Sequence, residues 1–129
     1  MNPIRYFLVC LAAVGLSFAQ PDVCDNISNA IGAGDAKQLA SYFGNTVELT
    51  IMNREESYSK TQAELIVRDF FAKNPPKSFT ILHKGSSKDG TYYAIGNLTT
   101  TKGVVFRTSF FTRQSDGKHI IQELRFETE

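Results

Sequence analysis

The chain has 129 residues, with 14 Lys+Arg against 13 Asp+Glu, ten phenylalanines, five tyrosines and no tryptophan. So even a charge balance, with no basic patch, excludes the electrostatic footprint of a nucleic-acid binder. Two cysteines and two histidines, with His83 and His119 at no ligand spacing, exclude a zinc site, and no cofactor is expected.

Residues 1–19 read as a secretory signal peptide. Met1–Arg5 is a short basic start, Tyr6–Ala19 is apolar, and Ser17 and Ala19 are the small residues at −3 and −1 of a cleavage site. The run is too short for a membrane span, which needs about 20 apolar residues. Gln20, Pro21 and Asp22 end it. Neither Cys10 nor Cys24 follows the small residue that lipid attachment requires. The expectation is a secreted, periplasmic protein without a membrane span after cleavage, made of one domain over residues 20–129. Cys24 is then alone, with no His or Lys beside it, and reads as a small apolar residue of a helix rather than a reactive thiol.

Val23, Ile27, Ala30 and Ile31 have helical spacing, and Gly32 and Gly34 end that helix. Asp35 and Gln38 form a capping box for a second, short helix that buries Leu39, Tyr42 and Phe43, with Gly44-Asn45 as its stop. Val47, Leu49 and Ile51 alternate with Glu48 and Thr50, a half-buried strand. A bend at Asn53–Glu56 leads to an extended piece ending at Tyr58. Ser59 and Gln62 make another capping box, and Ala63, Ile66, Val67 and Phe70 give the following helix its apolar stripe. Glu64–Arg68 and Asp69–Lys73 are i,i+4 pairs on its wet side, and Asn74-Pro75-Pro76 breaks it. Four strands follow, at 78–84, 92–100, 104–113 and 119–127. Their connections hold Asp89-Gly90, Lys102-Gly103 and Asp116-Gly117, which suit hairpins and imply an antiparallel meander.

This order of elements resembles the cone-shaped α+β fold of the nuclear transport factor 2-like superfamily, a curved antiparallel sheet packed on about three helices. The stretches GDAKQLASYF, VELTI, YSKTQAELIVRDFFAKNPPKSFTILHKG and YAIGNLTT are similar to those of a family of small exported bacterial proteins with a domain of unknown function. The resemblance implies the fold and an envelope location. It implies no reaction, since a fold does not decide function.

On the last two strands Phe106, Thr108, Phe110 and Thr112 share one side, as do Ile120, Gln122, Leu124 and Phe126. The other sides carry Arg107, Arg113, Glu123, Arg125 and Glu127, so the first sides face inward. That inward set has no Asp, Glu or His, and Glu48 points outward by parity. Enzymes of the superfamily generally hold a carboxylate or an imidazole inside the cone. No catalytic residue is therefore assigned. A pocket would be lined by Tyr42, Tyr58, Phe70, His83, Phe106, Thr108, Phe110 and Gln122. His83 shares a side with Phe79 and Ile81 and would reach the cone mouth, and Gln122 needs a partner such as Thr108 or a ligand. The leading reading is a non-catalytic domain that binds a small apolar ligand or a protein partner. One alternative is an isomerase or hydratase using His83 with a tyrosine hydroxyl. The other is an interaction module, a homodimer through the outer sheet face at Val105, Phe111 and Ile121.

Overall fold

The computed structural model describes residues 22–128. The expected leader and its cleavage site lie outside the described residues.

Helix α1, Val23–Ala33, starts at Asp22, whose carboxylate accepts the Asp25 amide at 2.9 Å. It ends at Gly34, which takes a left-handed φ of 66°. A side chain there would also press on Pro76 Cδ at 2.9 Å, so the helix end and the start of a strand are in close contact. Helix α2, Ala36–Ala40, is capped by Asp35, which accepts the Gln38 amide at 3.0 Å. It is shorter than expected. Phe43 is not helical but begins strand β1, Phe43–Ile51. The Tyr42 carbonyl accepts the Ile121 amide at 2.6 Å, and this long-range bond draws the segment into the sheet. Strand β2, Arg54–Ser59, folds back on β1 through a tight turn at Met52-Asn53.

Helix α3, Lys60–Lys73, has the full capping box: the Ser59 side chain bonds the Gln62 backbone and the Gln62 side chain bonds the Ser59 backbone. Both expected ion pairs form on its wet side, Arg68–Glu64 at 2.6 Å and Lys73–Asp69 at 3.0 Å. Strands β3 (Pro76–Ser86), β4 (Tyr92–Thr100), β5 (Val105–Ser115) and β6 (Lys118–Thr128) make the antiparallel meander. The last turn, Asp116-Gly117, has φ of 51° and 76°, the paired positive values of the tightest hairpin turn.

The six strands form one curved, open sheet in the order β2-β1-β6-β5-β4-β3. It is mixed rather than wholly antiparallel, because β1 runs parallel to β6. The long return through β2 to β5 is what permits that parallel neighbour. The helices fill the concave face. Ile27 and Ile31 of α1, Leu39 of α2, Val67 and Phe70 of α3, and Val47, Leu98, Phe106, Leu124 and Phe126 of the strands are all buried in one core.

Candidate functional site

The inward side of β5 is as alternation predicts: Phe106, Thr108, Phe110 and Thr112 are all buried. They do not enclose an empty cone. The Phe70 ring lies 5.0 Å from that of Phe106 and 4.6 Å from that of Phe126, and Phe71 closes on Phe126 at 5.9 Å. These separations are contact distances for aromatic pairs, so the rings occupy the space themselves. The two buried hydroxyls are satisfied locally. Thr108 donates to the Phe106 carbonyl at 3.2 Å, and Thr112 donates to the Tyr92 carbonyl at 3.4 Å. Among the described residues no Asp, Glu, Lys or Arg is buried, and His119 is half-buried against Tyr92 with its Nδ1 buried and without a hydrogen-bond partner.

Two of the expected pocket residues lie on the other side of the sheet, for one physical reason. Phe111 pairs with Glu123, and the next residue, Thr112, pairs with Ile121. Gln122 is thus the extra residue of a β-bulge, and a bulge shifts the side-chain alternation by one. Gln122 is exposed, while Ile121 is fully buried. This corrects both its expected inward position and the outward position of Ile121. Of the proposed outer-face trio, Val105 and Phe111 are exposed. A second bulge acts on β3. Ile81 pairs with Gly96 and His83 with Ile95, leaving Leu82 unpaired and 61% exposed. His83 therefore aligns with Ile95 and Tyr93 on the convex face, not with Phe79 and Ile81 at the cone mouth. It does meet a tyrosine hydroxyl, with Nε2 3.1 Å from Tyr93 Oη, but on an exposed surface. Tyr42 is half-buried and borders a separate surface hollow with Asn26, Asn29, Asp35 and Gln38.

Tyr58 and Phe70 belong to a groove of about 470 Å³ between the β1–β2 hairpin and α3. Leu49, Ile51, Ile66 and Phe70 make its floor. Arg54, Glu56 and Tyr58, alternate residues of β2, form one wall, and Asp69, Lys73 and Asn74 at the end of α3 form the other. Met52, at the hairpin tip, borders the mouth with a φ of 58° and a side chain 44% exposed. A left-handed backbone costs a non-glycine residue roughly 1–2 kcal/mol. Its amide donates to the Phe126 carbonyl at 2.7 Å, which helps hold the turn in place.

The walls are polar and internally paired. Tyr58 donates its hydroxyl to Glu56 at 2.7 Å, and Arg54 approaches the same carboxylate at 3.4 Å. The Tyr58 hydrogen bond and then the Arg54 charge hold Glu56 below the usual carboxylate range. The same bond raises the Tyr58 hydroxyl. Sequence reasoning found Tyr58 and Phe70 but missed the rest of the groove. One available signal was the two-residue Met52-Asn53 link between two strands, which has no glycine to relieve a positive φ.

A model of the domain of unknown function DUF4783 matches residues 24–127. The chain belongs to the DUF4783 family. A crystal structure of a DUF4783 protein from Bacteroides fragilis is 31% identical, with a TM-score of 0.76, and the match covers 85% of this chain and 100% of that one. Another from Bacteroides uniformis is 29% identical with a TM-score of 0.78, covering 84% and 98%. A nuclear transport factor 2-like protein of unknown function from Shewanella baltica matches over 100% and 98% of the two chains at a TM-score of 0.61. At 10% identity that likeness concerns the fold alone. No curated protein matches the chain. The DUF4783 domain here is thus a nuclear transport factor 2-like α+β fold whose cone is packed with aromatic rings.

Proposed function

We propose that this DUF4783 domain is a non-catalytic ligand-binding module of an exported protein, and that the hairpin–α3 groove is where it binds. The observation that carries the reading is the groove itself: an apolar floor reaching Phe70, with polar groups confined to the walls. Its volume of about 470 Å³ falls in the range of small-molecule sites, roughly 300–1,000 Å³. Proton-transfer chemistry finds little support in this arrangement. The fully buried polar side chains among the described residues are Ser28, Thr50, Thr100, Thr108 and Thr112, and the one imidazole that reaches inward, His119, has a buried Nδ1 with no partner to orient it for proton transfer. Export rests on the leader at residues 1–19.

The test is titration with a neutral fluorescent apolar probe, N-phenyl-1-naphthylamine. The wild-type domain should enhance its emission saturably. Ile66→Lys should remove that enhancement at a cost of about 1 kcal/mol or less in stability, because Ile66 is only partly buried. Saturable binding that survives Ile66→Lys in a folded protein would place the probe elsewhere and refute the groove.

A further inference from the structure

We infer that the groove selects apolar ligands bearing an anionic head, a carboxylate on an alkyl or aryl body; this deepens the ligand-binding reading and rests on it. The argument starts from which end of the groove is charged. Strand β2 runs from the hairpin tip to the start of α3, and α3 runs back toward that tip. Arg54 and Met52 therefore share one end of the groove with Lys73 and Asn74. Leu49, Tyr58 and Ile66 lie further in.

At that mouth the two carboxylates are already engaged. Glu56 accepts from both Tyr58 and Arg54, and Asp69 is paired with Lys73. The cations keep donors in reserve. Among the described residues Arg54 spends only its Nε, leaving the two Nη groups for the planar, bidentate contact that suits a carboxylate. Both Arg54 and Lys73 are largely exposed, so their existing ion pairs are weak and easily shared. A third cation stands close by: Lys102 Nζ donates to the Lys73 carbonyl at 3.2 Å. That contact offsets the negative end of α3, which would otherwise oppose an anion. Asn74 does the same from its side chain, donating Nδ2 to the Phe70 carbonyl at 3.1 Å. Two cations, Arg54 and Lys73, thus line the mouth with two already engaged carboxylates, Lys102 adds positive charge beside the end of α3, and an apolar floor lies behind them. An anionic head fits this distribution and a cationic one does not.

Met52 supplies a second observation. Its positive φ, like that of Asp116 in the far hairpin, is the one a two-residue hairpin turn requires, and it sets the residue at the edge of the groove. Its flexible side chain at the mouth suits contact with an alkyl body.

Three ligands with the same tail separate charge from apolarity: decanoate, decanol and decylammonium, each titrated below its aggregation limit by calorimetry. Decanoate should bind about 3- to 10-fold more tightly than decanol, with decylammonium weakest. The preference should shrink as salt rises. The double variant Arg54→Ala, Lys73→Ala removes two exposed side chains and should fold. It should erase the preference, weakening decanoate binding more than decanol binding. Equal affinity for all three ligands, or tightest binding of decylammonium, overturns the anionic head while leaving the groove standing. No binding of any of the three overturns the groove reading as well.

Discussion

At the residue scale, what decides the interior is size. Gly96 of β4 faces inward beneath the Phe79 ring, and a Cβ there would fall 2.8 Å from Phe79 Cζ and closer still to the Thr80 carbonyl oxygen. The backbone atom cannot yield as a side chain can. Gly96→Ala should therefore destabilise the domain by about 1–3 kcal/mol, read from denaturant midpoints. A neutral result would mean that β3 and β4 are less closely apposed than the pairing implies. The same residue-scale physics explains Cys24. It is 1% exposed, and burial, then the nearby Asp22 charge, pushes its thiol up to about 11. Such a thiol is protonated at neutral pH and packs as an apolar side chain, as the sequence led one to expect.

At the element scale, the fold was legible wherever the local chain carries its own signal. The Ser59–Gln62 capping box, the apolar stripe of α3 and the Asp116-Gly117 turn each specify one structure through neighbours in sequence. The bulges at Leu82 and Gln122 have no such signal, since nothing in TILHK or HIIQEL says which residue will lack a partner. The partner strands decide that. One extra residue in each strand moved His83 and Gln122 from the expected pocket to the convex surface, and the second took Ile121 inward. The groove was illegible for a related reason: it depends on how far α3 stands from the β1–β2 hairpin, which is set by the aromatic packing beneath. One element contact does predict a pH dependence. Lys84 of β3 reaches Asp25 at 3.4 Å and Asp22 at 3.5 Å, tying β3 to the start of α1. The Asp25 hydrogen bond and the two aspartate charges raise Lys84, so its stabilisation is complete below about pH 10.5 and is lost as pH rises through the folded value. Asp22 is lowered, first by the Asp25 amide and then by the Lys84 charge, so its share is complete above about pH 4 and lost as pH falls further. Melting temperature against pH should show a plateau between these edges. Lys84→Met should narrow the gap between pH 8 and pH 11, a small effect because the pair is exposed. Cys24 loses stabilisation over the same range and feels the Lys84 charge, so the two curves are compared in a Cys24→Ala background, where no thiol titrates. Identical curves would show that the tie contributes nothing.

At the scale of the whole molecule, the sheet wraps three helices and spends its concavity on packing. Phe70, Phe71, Phe106 and Phe126 pack against one another within that concavity. What remains is displaced to the side, where the β1–β2 hairpin overhangs the end of α3. The convex face is held apart from this site by the sheet itself. There Arg125 gathers Glu123 at 2.8 Å, Glu55 at 3.3 Å and Glu127 at 3.5 Å, and with Glu55 covers Thr50. The interior and the groove thus make opposite claims on any apolar ligand, and amide chemical shifts can tell them apart. Titrating decanol into the ¹⁵N-labelled domain should perturb amides of Leu49–Tyr58 and Ile66–Asn74 and leave Phe106, Thr108, Phe110 and Phe111 in place. Perturbations centred on Phe106 to Phe111, with the hairpin and α3 silent, would contradict the account.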